Sequence, residues 1–312
     1  MLSILSSLLP IFLLLVLGNI LRRNDFPSLD FWAKVDKLVY WVLFPGLLLH
    51  KTSTTSLDGD FVAPYAISLI AAMVAAGILA SAAALLLQKP REAASSVFQG
   101  AARHNTFIAF AVSEALFGSE GLFYAAIGTA VLVPFTNIAC VTALILLHGK
   151  NNGKSLPRRL LRELIRNPLL IAIATGVTLN LTGIGPLPVI DDMAQIIGKA
   201  ALPVALLNVG AALRIKAIRV GVASVLLSSF GKLCIFPAIA IGILLLTGLT
   251  GVPAYTIAIY ATVPTAVSGY ALANQLGGDA PLMAGIITIQ TLISMATMPF
   301  ALFFLFPLFS PG

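Results

Sequence analysis

Apolar residues form long runs along almost the whole chain, and short polar stretches separate these runs. A bilayer core of about 30 Å takes a helix of about 20 apolar residues, which is the length scale seen here. No alternation of apolar and polar residues with a period of two competes with this interpretation. The runs predict ten helices, at about 3–21, 36–51, 61–88, 94–117, 121–147, 167–183, 192–213, 218–247, 252–275 and 280–309.

The composition supports an all-α polytopic membrane protein. Of the 312 residues, 59% are apolar and 10% are charged, and the mean hydropathy is +1.00. About a quarter of the residues of a soluble domain are charged. These values exclude a soluble enzyme, a disordered protein and a domain with a single anchor. The first run has no charge before Arg22 and no small-residue cleavage pattern, so we predict a retained helix and not a secretory signal.

The basic residues predict the orientation in the membrane. The formal charge is +7, and 15 of the 19 Lys and Arg residues fall in the loops after predicted helices 1, 3, 5 and 7. The opposite loops hold Lys51 together with several acidic residues. The positive-inside rule then makes the basic loops cytoplasmic and places both termini outside a cell membrane. Because the basic residues alternate between loops and are not interleaved with aromatic residues, no nucleic-acid partner is expected.

The chain divides into two halves with a basic linker between them. Residues 1–150 hold five predicted helices, 151–166 form the linker, and 167–312 hold five more. Residues 156–168 read as an amphipathic stretch on the cytoplasmic leaflet, and Asn167-Pro168 is expected to cap the next helix. An odd number of helices in each half forces the second half to enter the membrane with the opposite sense. Inverted repeats of this kind underlie many secondary transporters.

An offset of 159 residues supports the duplication. It pairs Glu120 with Asp279 and Thr106 with Thr265, and it sets Asn105 against Pro264. Further pairs at the same offset are Gly118 with Gly277 and Thr129 with Thr288. Predicted helices 4 and 9 are therefore counterparts of each other.

Both of these counterpart helices carry residues that interrupt an apolar helix. Pro264 lies in the middle of predicted helix 9 and has no amide hydrogen, so the carbonyl of Tyr260 loses its helical partner. Arg103, His104 and Asn105 lie about ten residues into predicted helix 4, which is roughly 15 Å deep at about 1.5 Å per residue. Two interrupted helices at matching positions of two halves are the best sequence pointer to a binding site.

The polar residues inside the apolar runs favour an anion as the bound solute. Deep cationic candidates outnumber deep acidic ones, and half-helix N-termini at a break add positive partial charge. His104 and Glu114 are the candidates for coupling to protons, while Lys199 is expected to extend outward to water. The candidate binding residues are Asn105, Pro264, Arg103, His104, Thr106, Thr265, Ser268, Asn208, Asn19, Gln290 and Lys232.

The sequence predicts neither catalysis nor a cofactor. It contains no His, Asp or Glu cluster at metal-ligand spacing, no G-x-S-x-G and no phosphate-binding loop with its lysine. Cys140 and Cys234 both lie in apolar runs and suggest neither a disulfide nor a metal site. Without a nucleotide site, active transport has to draw on the gradient of an ion or of another solute.

Several stretches resemble the auxin efflux carrier family in its short bacterial form. They are RNPLLIAIATGVTLNLTGIGPLP (166–188), GKAALPVALLNVGAAL (198–213), Arg103-His104-Asn105 in predicted helix 4, and Pro264 followed by ALANQLGGDAPLMAGIITIQTLIS (271–294). The resemblance covers essentially the whole chain. It implies a secondary carrier of two inverted five-helix repeats, divided into a scaffold part and a moving part, whose helices 4 and 9 cross at their breaks near the membrane centre.

The resemblance also implies a substrate class. Bacterial relatives are described as permeases for malate, malonate or similar carboxylates, and plant members export auxin. In the plant pattern both crossing helices carry Asn and Pro, whereas here helix 4 has Asn105 without Pro and helix 9 has Pro264 without Asn. The sodium-coupled bile acid carriers look like distant relatives, but their cation sites have no counterpart that we find in this sequence.

Three other functions stay open at this point. An anion channel would carry a far faster flux, and a membrane sensor would bind a carboxylate without transporting it. A membrane-embedded enzyme fits least, because catalytic clusters are missing from the sequence. The apolar outer faces would serve a homodimer contact and a contact with the lipid bilayer equally well.

Overall fold

The computed structural model describes residues 2–55, 61–148, 165–215, 217 and 221–310, and these residues are almost entirely helical. The α-helices are α1 Leu2–Arg23, α2 Leu29–Leu38, α3 Phe44–Thr54, α4 Val62–Leu86, α5 Arg91–Ala102, α6 Thr106–His148, α7 Pro168–Leu181, α8 Pro188–Ala212, α9 Val222–Phe230, α10 Phe236–Thr247, α11 Gly251–Thr262, α12 Ser268–Leu276 and α13 Ala280–Leu305. A π turn (Val39–Leu43) joins α2 to α3, another (Gly231–Ile235) joins α9 to α10, and a short 3₁₀ helix (Phe306–Phe309) follows α13.

Every predicted run contains helix, and the described residues include no strand. The prediction of an all-α polytopic membrane protein is therefore confirmed at this level. Six helical segments within the described ranges are long and apolar enough to cross a membrane: Leu2–Arg23, Val62–Leu86, Arg91–Leu147, Pro188–Ala212, Val222–Thr247 and Ala280–Phe309. The segment Arg91–Leu147 covers two predicted helices, and α7 is an apolar helix of shorter length. The count of ten crossings stays a prediction.

Local sequence explains where several helices begin and turn. Asn167 caps α7 as predicted, because its side-chain oxygen accepts hydrogen bonds from Leu169 N at 3.0 Å and Leu170 N at 3.4 Å, and Pro168 fills the first helical position. Inside α6, Gly118 has φ 59° and ψ −139°, a conformation that is not helical. A residue without a Cβ adopts it at little cost, so the chain can change direction between predicted helices 4 and 5.

The helices pack as two groups. Group A contains α1, α2, α3, α7 and α8, in which α1 and α3 both lie against α8, and α3 also lies against α7. Group B contains α4, α5, α6 and α9 to α13. Within group A the backbones of α1 and α8 meet directly, because a Cβ on Gly18 would strike the carbonyl of Leu207, and one on Gly210 would strike that of Leu15. Glycine at such crossings lets membrane helices approach closely.

The amphipathic stretch predicted at 156–168 lies mostly outside the described residues, as do Lys216 and the acidic residues Asp58 and Asp60.

Candidate transport site

Two interrupted helices of group B meet at their breaks. The first break (Arg103–Asn105) separates α5 from α6, and the second break (Val263–Val267) separates α11 from α12. The backbone N–H of Asn105 donates to the carbonyl of Pro264 at 2.8 Å. The residues that the 159-residue offset sets against each other are therefore in direct contact.

Asn105 also starts the helix that follows it. Its side-chain oxygen accepts a hydrogen bond from Ile108 N at 3.1 Å, and its carbonyl accepts one from Ala109 N at 3.0 Å. The residue is only 2% exposed. This is the geometry of an N-cap, so the positive end of the α6 dipole lies at the first break.

Gln290, on α13, connects the two breaks. Its side-chain oxygen accepts from Thr265 N at 3.0 Å, and its side-chain nitrogen donates to Gly100 O at 3.1 Å and to Ser228 Oγ at 3.3 Å. The Thr265 hydroxyl donates to Gln99 O at 3.3 Å. Backbone groups that an unbroken helix would pair internally thus find partners on a neighbouring helix.

Lys232 reaches the second break from the π turn between α9 and α10. The side chain is fully buried, and its Nζ donates to the carbonyl of Tyr260 at 3.2 Å. The same Nζ lies 3.7 Å from the centre of the Phe236 ring. The carbonyl that Pro264 leaves without a helical partner is therefore paired with an ammonium group.

A cavity of about 660 Å³ lies between groups A and B and reaches the first break. Among the described residues its charged lining consists of Arg22, Arg103 and Arg214 and one acid, Asp36. The remaining polar lining residues include His104, Asn105, Thr106, Thr136, Asn137, Asn167, Asn208, Ser268 and Gln275. A second recess, lined by Asn19, Arg22, Arg23, Leu29, Leu213, Arg214 and Ile215, adjoins it. The excess of guanidinium groups makes this space electropositive.

Arg103 is the most deeply placed of these cations. It is 6% exposed, and it donates to Gln99 Oε1, Ser268 Oγ and Asn137 Oδ1, each at 3.3 Å. All three acceptors are neutral, and within the described part of the chain no carboxylate comes within 4.0 Å of the guanidinium. A buried charge without a counter-ion is costly, so an anion in the cavity would stabilise it.

The chain is similar to known membrane transport proteins. The family model described as "Membrane transport protein" matches residues 3–302. This chain belongs to that family. An uncharacterized transporter of Methanothermobacter thermautotrophicus is 26% identical over 302 residues, which are 94% of this chain and 96% of the relative. The resemblance to the auxin efflux carrier family is thereby confirmed, and the protein is a transporter that crosses a membrane several times.

In this transporter the predicted site residues fall into two sets. Those that line the cavity are Arg103, His104, Asn105, Thr106, Asn208 and Ser268. Those that do not are Pro264, Thr265, Gln290, Lys232, Asn19 and Glu114. Four of these residues stabilise the crossing from outside the cavity lining, through the contacts given above: Pro264, Thr265, Gln290 and Lys232.

Asn19 and Glu114 lie away from the crossing. The side chain of Asn19 donates to the carbonyls of Gly210 and Leu213, both at 3.2 Å, and thereby caps the end of α8. Glu114 is exposed and interacts electrostatically with Lys51. Asn208 stays at the cavity, where its side chain donates to Asp36 Oδ1 at 2.9 Å.

Asp36, Arg22 and Arg214 line the cavity but were not predicted as site residues. Arg22 and Arg214 belong to connections whose basic residues predict the topology, and Asp36 is the first residue of a predicted helix. Among the described residues, no group of three or more His, Cys, Asp or Glu side chains is placed to hold a metal ion.

Proposed function

We propose that this transporter carries a small organic carboxylate, such as malate, malonate or an auxin-like acid, by alternating access. The observation that carries the proposal is the buried, unneutralised guanidinium of Arg103 at the crossing of two broken helices. The α6 N-terminus adds positive partial charge beside it, and Arg22 and Arg214 line the same cavity. Carboxylates match the planar donor geometry of arginine.

The proposed mechanism uses the two packing groups as its moving parts. In it, residues 1–150 and 167–312 are inverted five-helix repeats joined by the linker 151–166, with ten crossings and both termini outside the cell membrane. The contact between Asn105 and Pro264, which the repeat offset pairs, supports this arrangement. Arg22 and Arg214, which line the cavity, belong to connections predicted to be cytoplasmic, and on this basis we propose that the present conformation is the inward-open state.

The position of the cavity supports the proposal of alternating access. Its lining comes from both groups, with Asp36 and Asn208 from group A and Arg103 and Ser268 from group B. A relative displacement of the groups would close this space on one side and open it on the other. The anion would remain with the crossing, because Arg103 and Asn105 both belong to group B.

The test is transport by the purified protein in liposomes with labelled malate, malonate and indole-acetate, with and without a pH gradient. We expect saturable uptake of at least one carboxylate, and uptake that is stimulated by the same anion on the opposite side. The matched variants are Arg103→Gln, which removes the buried charge, and Lys199→Gln, which removes an exposed one.

Each alternative has its own outcome in this assay. Flux far above carrier rates, without stimulation from the opposite side, would identify an anion channel. Binding without flux would identify a sensor. Uptake of a neutral or cationic solute, together with failure of every carboxylate, would contradict the proposed substrate class.

A further inference from the structure

Lys232 is a buried charge that the proposed transport cycle leaves unused. Its side chain has no exposed surface and does not line the cavity. Its ammonium contacts the Tyr260 carbonyl at 3.2 Å and the face of the Phe236 ring at 3.7 Å. Charged groups inside membrane proteins are costly, so an embedded lysine calls for a function.

The surroundings of this ammonium are those of a cation site. In a regular helix the Tyr260 carbonyl would accept from the amide of residue 264, but residue 264 is a proline. The released carbonyl oxygen and the aromatic face are the two kinds of group that attract a cation away from water. The protein fills this place with its own side chain.

The charge of Lys232 is not neutralised by its neighbours. Its neighbours are the Tyr260 carbonyl on α11 and His104, which interacts with it electrostatically. Of the other helices that pack against the π turn, α4 carries Tyr65 and α5 begins with Arg91 and Glu92, while α9, α10 and α13 carry no charged residue. Within the described ranges no carboxylate is close enough to form an ion pair with it. His104, which lines the cavity, interacts electrostatically with both Lys232 and Arg103.

We propose that Lys232 is an internal cation of the crossing, which fills the place beside the released Tyr260 carbonyl that a free cation would otherwise occupy, and whose charge holds the transported anion without contacting it. This inference rests on the proposed function. According to this proposal, two residues provide the positive charge of the site. Arg103 lines the cavity, and Lys232 lies outside the lining and acts through its electrostatic interaction with His104. It also removes any need for sodium in anion binding.

Two substitutions separate the charge of Lys232 from its hydrogen bond. Lys232→Arg keeps both, whereas Lys232→Gln keeps a donor for the Tyr260 carbonyl and removes the charge. The measurement is the affinity of the purified protein for the carboxylate that the wild type binds best, by calorimetry, in sodium, potassium and choline chloride. Lys199→Gln, at an exposed lysine of α8, is the matched control.

We expect Lys232→Gln to bind the anion about tenfold more weakly, because one unit charge roughly 10 Å away at an effective dielectric constant of about 20 has an effect of that size. Lys232→Arg and Lys199→Gln should stay near the wild-type affinity, and the wild type should bind equally well in all three salts. Wild-type affinity in Lys232→Gln, equal losses in the Gln and Arg variants, or a sodium requirement in the wild type would overturn the proposal.

A second measurement does not depend on the transported anion. In Lys232→Ala the vacated place should accept a small cation, so the melting temperature of this variant should rise in ammonium or sodium chloride relative to choline chloride. The wild type should show no such rise. Absence of the rise in Lys232→Ala would contradict the cation site. Failure of the wild type to bind any carboxylate would instead contradict the proposed function, which keeps the two outcomes distinct.

Discussion

Each break at the crossing leaves backbone groups without partners in their own helix, and the two breaks satisfy these groups in different ways. At the first break the helix that follows is capped locally, because the side chain of Asn105 accepts from Ile108 N, and the Asn105 N–H also donates across to Pro264. At the second break the partners come from far away in sequence, with Lys232 on the Tyr260 carbonyl and Gln290 on the Thr265 amide. A local cap needs one suitable residue at the start of the helix. A partner from elsewhere in the sequence also needs its own helix to pack at the position that brings the side chain to the break.

This difference suggests that the first break binds the transported anion, while the second break stabilises the crossing. The side chains at the first break, Arg103 to Asn105, line the cavity, while Pro264 and Thr265 at the second break do not. The first break presents groups to the cavity, and the second is supported by residues outside the cavity lining. This proposed division predicts different effects for substitutions at the two breaks.

Gln290→Leu removes the connection between the breaks. The Thr265 amide and the Gly100 carbonyl would both be left buried without a partner, at about 1–3 kcal/mol each. We expect the free energy of unfolding to fall by about 4 kcal/mol, measured by thermal and denaturant unfolding in detergent. Thr297→Val, at an exposed position of the same helix, is the control and should change stability by less than about 0.5 kcal/mol. Equal stability of the two variants would contradict the supporting role of Gln290.

Arg103→Gln tests the binding side of the division. The three acceptors of Arg103 are neutral, so its loss breaks no ion pair among the described residues, but it removes the most buried positive charge from the cavity lining. We expect the affinity for the carboxylate to fall by about 100-fold, which corresponds to about 2.7 kcal/mol. The measurement is calorimetry on the purified variant. Unchanged affinity would show that the anion binds elsewhere.

Asn105→Ala and Asn105→Asp separate capping from binding at one residue. The alanine variant loses the bond to Ile108 N and should be destabilised by about 1 kcal/mol. The aspartate variant keeps an acceptor for that amide and should keep its stability, but its negative charge should weaken anion binding by about tenfold or more. Stability and affinity are measured on both variants, and parallel loss of the two quantities in both would argue against the division.

Pro264→Ala should have the smallest effect on stability. The variant regains an amide hydrogen, but the Tyr260 carbonyl is already paired with Lys232, and the Pro264 carbonyl keeps its bond to Asn105. We expect a change within about 1 kcal/mol in unfolding. A large loss of stability would mean that the proline itself, and not its distant partners, holds the second break open.

The breaks themselves could be predicted from the sequence, and their partners could not. A proline at 264 and the Arg-His-Asn triplet stand out inside apolar runs, because proline removes a helical hydrogen bond and polar groups are costly in lipid. The same logic marked Gln290 and Lys232 as unusual. It gave no means of deciding whether their side chains face a solute or a backbone carbonyl, since that depends on how helices far apart in sequence pack.

Three further charged residues that line the cavity could not be predicted as site residues, for a related reason. Arg22 and Arg214 lie at helix ends, where basic residues are expected from topology alone, and Asp36 is the first residue of a predicted span. Their convergence on one space follows from the packing of α1 and α8 against each other, which the glycine crossings at Gly18 and Gly210 allow.

The chain passes between groups A and B three times, through residues 55–61, 149–167 and 213–221. Each of these segments connects the two groups covalently. The shortest has seven residues, which reach at most roughly 25 Å when fully extended. In the proposed alternating-access mechanism, covalent geometry therefore limits how far one group can move past the other. Shortening the segment 55–61 one residue at a time would measure the displacement that transport requires. Transport should fail once the segment is too short to span that displacement.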